Sequence, residues 1–212
     1  MKRFRMVRGL ALGLAGVALV LGGVAVASNM GFKFVPNIPA GENLLLSLPW
    51  NNNYTKASEL MNDLDVSSGN GSTVSKVNTD ASLTTWFYGG PPANNYTVAK
   101  GEAFLWKTGT SSVTASVIVG SHDPNFKITV PASQNFAMSV PYHTTYTAAN
   151  GLLNAMETPA AGTTLSSYNT DASLTTWFYG GPPANNFAIV LGKGVLIKAG
   201  ASGITNFAVS HY

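Results

Sequence analysis

Residues 78–95, NTDASLTTWFYGGPPANN, decide the fold, because the same eighteen residues return unchanged at 169–186. The match extends outward at an almost constant offset, so that Ser-Leu-Pro at 47–49 corresponds to Ser-Val-Pro at 139–141. The chain therefore carries two copies of a unit of about 90 residues. A solenoid usually needs three or more shorter repeats, so this duplication predicts two small tandem domains.

The first 27 residues are typical of a secretory signal peptide. A start with four Lys or Arg residues precedes an uncharged apolar stretch at 10–26, and the small residues Ala25 and Ala27 indicate cleavage before Ser28. An uncleaved membrane anchor is the alternative, because the apolar stretch is close to the shortest length that spans a bilayer. We expect a secreted protein that is extracellular, on the cell surface or in the periplasm, with no membrane contact after cleavage.

Removal of this leader changes the net charge from +3 to −1, because it takes four of the twelve basic residues and none of the nine acidic ones. No Arg follows Arg8, so the forked guanidinium groups on which phosphate and base recognition depends are absent from the mature chain. The chain also has no Cys, which excludes disulfides, thiolate catalysis and cysteine metal sites. We therefore expect no nucleic-acid partner, no cofactor and no metal.

Each unit contains one segment with helical spacing of its apolar residues. In the first unit Ala57, Leu60, Met61 and Leu64 form one stripe, and Thr55 precedes it as the expected N-cap. In the second unit the same stripe comprises Ala149, Leu152, Leu153 and Met156, with Thr147 as the corresponding cap.

The rest of each unit alternates short apolar or β-branched stretches with Gly, Asn and Pro clusters, which predicts antiparallel strands joined by tight connections. The predicted strands are 43–49, 73–77, 83–88, 103–107 and 113–119, then 135–141, 164–168, 174–179, 195–198 and 204–209. The predicted fold is mainly β, α+β within each repeat, with two tandem antiparallel β domains that each carry one short helix. The predicted boundaries are 1–27 for the signal peptide, 28–122 for the first repeat domain, with 28–36 as an extended arm, and 123–212 for the second.

The order of these landmarks resembles a tandem-repeat β domain of secreted bacterial proteins. Its elements are a Ser-Leu-Pro strand, a Tyr-Thr helix start, and an Asn-aromatic segment that leads through Gly-Lys or Gly-Glu into a final hairpin. The matching residues are Ser47, Leu48, Pro49, Tyr54, Thr55, Leu60, Asn95, Gly101 and Glu102, then Ser139, Val140, Pro141, Tyr146, Thr147, Leu152, Asn186, Gly192 and Lys193. The resemblance implies export and fold, and it brings no active-site residues.

The duplicated segment is the candidate binding site, because aromatic faces beside amides suit sugar rings, which have apolar C–H faces and polar hydroxyls. The candidate ligand-binding residues are Asp80, Trp86, Tyr88, Asn94, Asn95, Asp171, Trp177, Tyr179, Asn185 and Asn186. A structural interpretation stays open beside it: side chains alternate along a strand, so Trp86 and Phe87 face opposite sides and one side packs in a core. Asp80 beside Ser82 is equally typical of a turn, and recent duplication alone explains identical copies.

Catalytic patterns are weak, and we expect no enzyme. The three histidines are His122, His143 and His211, and the first and last are equivalent copies, which favours a structural position. The chain contains no G-x-S-x-G or H-E-x-x-H motif. Two functions remain: a non-catalytic structural or adhesive protein of the bacterial surface or matrix that self-assembles by strand addition of residues 28–36, or a bivalent module that binds surface polysaccharide.

Overall fold

The computed structural model describes residues 30–35, 38–64, 71–113, 116–121, 123–156 and 162–210. The predicted signal peptide, His122 and His211 lie outside the described residues, and the predicted arm is described only at 30–35.

The first unit contains six strands and one α-helix among its described residues. They are β1 (Met30–Val35), β2 (Asn43–Ser47), α1 (Ala57–Leu64), β3 (Thr73–Val77), β4 (Leu83–Phe87), β5 (Ala103–Lys107) and β6 (Ser116–Ser121), with a 3₁₀ turn at Pro92–Asn94. The second unit repeats this order. It has β7 (Ile128–Val130), β8 (Asn135–Met138), α2 (Ala149–Ala155), β9 (Thr164–Tyr168), β10 (Leu174–Phe178), β11 (Val195–Lys198) and β12 (Ile204–Phe207), with a 3₁₀ turn at Pro183–Asn185.

Each unit is built on one four-stranded antiparallel sheet, with the order β2-β5-β3-β4 in the first and β8-β11-β9-β10 in the second. A two-stranded sheet accompanies each, formed by β1 with β6 and by β7 with β12. The predicted fold class, mainly β with antiparallel sheets and one short helix per unit, is confirmed.

The helices form where the apolar stripes predict them, and the first stripe is fully buried in α1. The predicted Thr55 cap is wrong. Thr55 bonds instead to the carboxylate of Glu59, which also accepts a hydrogen bond from the Lys56 N–H at 3.2 Å. The N–H of Ser58 donates to the side-chain oxygen of Asn95 at 2.9 Å, so a remote residue supplies part of the cap.

The helix of each unit packs on one face of its own sheet. In the first unit Leu60 and Met61 contact a core that includes Trp86 and Trp106, and all four side chains are buried. The second core is equivalent, but it also receives Trp50 from the first unit. The Trp50 indole N–H donates to the Ser139 carbonyl at 3.1 Å and its ring meets Phe126 edge-on.

The opposite faces of the two sheets pack against each other. A third buried cluster joins Leu45 and Leu105 of the first unit to Ala137 and Leu196 of the second. The two units are in close contact at Gly194, where an added Cβ would collide with the Cβ of Ala103. The units therefore share a core rather than only a linker.

Main-chain hydrogen bonds repeat across this interface with approximate two-fold symmetry. The Ser47 N–H donates to the Gly192 carbonyl at 3.2 Å, and the equivalent Ser139 N–H donates to the Gly101 carbonyl at 2.8 Å. Farther along the same strands, the N–H groups of Asn43 and Asn135 donate at 2.9 Å to Thr170 and Thr79 respectively. The outer edges of β2 and β8 are thus covered by the other unit.

The buried hydroxyls of the Ser-Leu-Pro and Ser-Val-Pro segments complete the interface. The Ser139 Oγ accepts a hydrogen bond from the Leu48 N–H at 2.8 Å and donates to the Glu102 carbonyl at 2.6 Å. The Ser47 Oγ donates to the Val140 carbonyl at 2.8 Å. These landmark serines join the two units.

Within the described part of the chain, neither helix has the length and apolar character needed to cross a membrane.

Candidate functional site

The duplicated segment forms the outer strand of each four-stranded sheet. β4 pairs with β3 from Thr73↔Phe87 to Val77↔Leu83, and β10 pairs with β9 in the same way. Among the described residues these inner strands are their only strand neighbours. The candidate site therefore lies at two sheet edges of identical sequence.

Alternation along β4 divides its side chains between core and solvent. Trp86 is 6 % exposed and belongs to the core beneath α1, whereas Leu83 is 46 % and Phe87 45 % exposed on the opposite face. Tyr88, directly after the strand, is also exposed. An indole buried to this degree has no open face for a sugar ring, so the structure places Trp86 in the core rather than on a platform.

The second copy has the same distribution. Trp177 is 7 % exposed and lies in the core of its own unit, while Leu174, Phe178 and Tyr179 are exposed. The two Trp side chains are equally buried because β4 and β10 pair with their inner strands in the same register. Each Trp lies opposite the second residue of the inner strand, which is Leu165 in this unit.

Asp80 and Asp171 stabilise the tight turn that leads into each edge strand. The Asp80 Oδ1 accepts hydrogen bonds from the Ser82 hydroxyl at 2.6 Å and the Ser82 N–H at 2.9 Å. Asp171 makes the same two bonds to Ser173. The hydrogen bond from the Ser82 hydroxyl, followed by that from the Ser82 N–H, lowers the pKa of Asp80, and Ser173 lowers the pKa of Asp171 likewise. The predicted turn role is confirmed.

The paired asparagines have different surroundings. Asn94 and Asn185 are exposed in the 3₁₀ turns, where their N–H groups donate to Pro91 and Pro182. Asn95 is half-buried and caps α1, as its Nδ2 donates to the Ser58 hydroxyl at 2.8 Å while its Oδ1 accepts from the Ser58 N–H.

Asn186 has the corresponding role in the second unit, where its Oδ1 accepts a hydrogen bond from the Asn150 N–H at 2.9 Å. The last asparagine of each duplicated segment therefore fixes a helix.

A polar cleft of about 470 Å³ lies beside Asp80 and reaches across to the second unit. Its walls include the ion pair between Lys76 and Glu102, at 2.6 Å, and the ring of Phe136. The remaining lining residues are Val77, Asn78, Thr79, Ser82 and Asn135. This cleft brings together one predicted site residue, Asp80, with groups that the sequence did not connect to it.

A second cleft of about 470 Å³ lies at the end of the first unit, away from the duplicated segment. Asn51, Asn52 and Asn53 line it together with Tyr54 and Lys100. Several of these groups already have partners: the Tyr54 hydroxyl donates to Asp63 at 2.7 Å, and Lys100 forms an ion pair with Asp123 at 2.8 Å.

The remaining described histidine, His143, packs edge-on against Tyr142 with ring centroids 4.5 Å apart. No group of three His, Asp or Glu side chains that could hold a metal ion occurs among the residues the structure describes.

Two features of the site have weak signals in the sequence. Phe136 reaches the Asp80 cleft only because the two units pack together. Glu102 reaches it because it directly precedes β5, the neighbour of β3, and forms an ion pair with Lys76. Alternation divides the side chains of β4 between two faces, but it does not show which of the two faces packs in the core.

The chain matches no family model, no curated protein and no solved structure. The resemblance to a secreted repeat domain therefore stays a prediction.

Proposed function

We propose that this chain is an exported, non-catalytic structural or adhesive protein of a bacterial surface or matrix. The observation that carries this proposal is the pair of identical, uncharged, partly apolar edge strands, β4 and β10, on two units that share a buried interface. A duplicated binding edge on a double domain suits a protein whose task is to connect surfaces.

The surroundings of the acidic groups support a role without catalysis. Glu59 is bonded at the start of α1, Asp80 is bonded within a turn, and Glu102 is held by Lys76. The pKa of Glu59 is lowered, first by the hydrogen bond from the Thr55 N–H, as expected for a structural carboxylate. A general acid would instead need a raised pKa.

The predicted arm is a less suitable connecting element than the two edges. β1 pairs along its whole length with β6 of the same chain, from Met30↔Ser121 to Val35↔Ser116. To join a neighbour's sheet it would first have to leave β6, whereas β4 and β10 have no strand on their outer side among the described residues.

Localisation tests this proposal directly. Cells that produce the chain from its own start would be fractionated, and the protein would be located by immunogold labelling and its N-terminus sequenced. We expect a chain beginning at Ser28 on the cell surface or in the matrix, and loss of the protein should weaken cell–surface or cell–cell attachment. Retention in the cytoplasm with the first 27 residues intact would refute the proposal.

Binding of a neutral polysaccharide is the second candidate function, and the cleft beside Asp80 favours it. The cleft combines one aromatic ring, Phe136, with amides and carboxylates, which is the chemistry expected for a sugar ring. Trp86 and Trp177 have no part in this version, because both are buried.

The duplication supplies a matched control for this candidate. Asp80→Asn and Asp171→Asn change the same residue in the same turn, but Phe136 and Glu102 accompany only Asp80. We expect Asp80→Asn to weaken retention on a polysaccharide array while Asp171→Asn leaves it unchanged. Equal binding by both variants and the parent chain would exclude this cleft.

A further inference from the structure

β4 and β10 differ from the other outer strands of the large sheets in being open. The N–H groups of β2 and β8 donate across the unit interface, at Asn43 and Ser47 and at their equivalents. β4 and β10 have one strand neighbour each among the described residues, on the inner side. In the part of the chain that the structure describes, each molecule therefore presents two open edges, and both have the sequence LTTWF.

The open edges lack the features that usually keep sheet edges apart. Natural edges are protected by Lys, Pro or a bulge. β4 pairs with β3 in continuous register, and no charged residue or proline lies between Ala81 and Gly90. Leu83 and Phe87 are nearly half exposed on one face of this unprotected strand.

The direction of the backbone groups along β4 can be read from its ladder with β3. The Asn78 N–H donates to the Ser82 carbonyl and the Tyr88 N–H to the Ser72 carbonyl, so even-numbered residues bond inward. Antiparallel ladders alternate, and the N–H and C=O groups of Thr85 therefore point away from β3. This places hydrogen-bonding groups at the centre of the open edge.

We propose that these edges pair with the edges of further copies of this chain, antiparallel and centred on Thr85 or Thr176. This inference rests on the proposed structural role and names its partner. In that register Leu83 lies opposite Phe87 or Phe178 of the other copy, and Thr85 lies opposite Thr85 or Thr176. Aromatic–aliphatic and Thr–Thr neighbours are favourable cross-strand pairs.

The charges near the edge agree with a second copy as the partner. Asp80 is the nearest charged residue before β4. In the antiparallel register it falls opposite Gly90 or Gly181 of the other copy, so the two carboxylates lie at opposite ends of the joint. Identical edges can therefore meet without opposing like charges.

Two equivalent edges per molecule make the product an open chain of molecules rather than a closed dimer. Five-residue strands are about 17 Å long, so one joint buries less than the 1,200 to 2,000 Å² of a stable interface. The length of these chains of molecules should therefore depend steeply on protein concentration.

The test is the mass distribution of the mature chain, residues 28–212, which contains every described residue. Analytical ultracentrifugation over a wide concentration range, with electron microscopy, should reveal species larger than dimers and thin linear particles. Leu83→Lys or Leu174→Lys closes one edge and should stop growth at the dimer. The double variant should remain monomeric.

Exposed apolar residues elsewhere provide the matched control. Val190→Lys and Leu191→Lys introduce the same charge at exposed positions outside β4 and β10, and they should assemble like the parent chain. Far-UV circular dichroism and thermal unfolding show whether each variant keeps its fold. Complementary charges test the register, since Leu83→Lys/Leu174→Lys mixed with Phe87→Glu/Phe178→Glu should assemble although neither does alone.

A parent chain that stays monomeric at every concentration would overturn this inference, as would single variants that still form long chains. If the mixture of the Lys and Glu double variants does not assemble, the proposed register is wrong. None of these results changes where the protein is located in the cell, so failure of the pairing is distinguishable from failure of the proposed function.

Discussion

Asn95 connects the duplicated segment to α1 through hydrogen bonds to a residue 37 positions earlier. Asn95→Ala removes the acceptor of the Ser58 N–H, and loss of an N-terminal cap usually costs about 1 kcal/mol. We expect the free energy of unfolding to fall by about that amount in urea titrations. Asn94→Ala is the control, because Asn94 is exposed in the adjacent turn and should have little effect. Equal losses from both substitutions would contradict the capping role.

Asp80 and Asp171 should make stability depend on pH in the acid range. Their pKa values are lowered in the folded chain by Ser82 and Ser173, so their contribution is present above the unfolded pKa of 3.8 and is lost as pH falls through the folded pKa. Asp80→Asn/Asp171→Asn should be less stable than the parent chain at pH 7 and indistinguishable from it well below pH 3.8. Urea titrations at both pH values measure this, and a difference that persists in acid would disprove it.

Asp80 and Asn95 show which contacts can be predicted from neighbouring positions in the sequence and which cannot. Asp80 and Ser82 are two positions apart, so their turn could be predicted from the sequence. The Asn95 cap could not, because the loop that carries it reaches the helix only after the sheet has formed. Thr55 lies two positions before α1 and is the cap that local spacing predicts, but the Ser58 N–H bonds to Asn95 instead.

One face of β4 packs in the core, and the opposite face is exposed. Trp86→Ala should lower the free energy of unfolding by about 3 to 5 kcal/mol, the usual range for removing a buried aromatic side chain. Phe87→Ala, one residue later and nearly half exposed, should cost far less. Chemical denaturation of both variants measures the difference. A stable Trp86→Ala chain that had lost polysaccharide binding would restore the platform interpretation.

The inner strands of the two large sheets, β3, β5, β9 and β11, lie at the predicted bounds. The strand predicted at 113–119 instead begins at Ser116, because Val113 forms an isolated bridge with Ile38 before β6 starts. A short apolar run does not reveal which of its residues pairs with a distant partner.

The duplication could be read from the sequence, but the packing of the two units against each other could not. The equivalent serines Ser47 and Ser139 look like ordinary strand residues. Their buried interface role arises because each meets the other unit's main chain. Trp50, too, crosses into the second core without any local signal.

Gly194→Ala tests this shared interface, and Gly151→Ala, in a helix away from it, is a comparison with the opposite expected sign. Gly194→Ala places a methyl group against the Cβ of Ala103 and 3.0 Å from the Met138 carbonyl, so we expect a loss of about 1 to 3 kcal/mol. Gly151→Ala lies in α2, where the nearest atom to the new methyl is 3.9 Å away on Tyr146, and should gain up to about 1 kcal/mol. Urea titrations of both variants provide the values.

The shared interface also predicts which strands lose stability when Gly194 is replaced by Ala. Because the two sheets share one buried cluster, Gly194→Ala should lower the protection of β5 and β11 together in amide hydrogen exchange, and unfolding should remain a single transition. Adding Ala103→Gly removes the opposing methyl group and should restore part of the stability, since the close contacts with the Met138 carbonyl and the Leu45 side chain then remain. Two separate transitions, with β5 unaffected by a change in β11, would mean that the units fold independently and that the sheets do not hold each other.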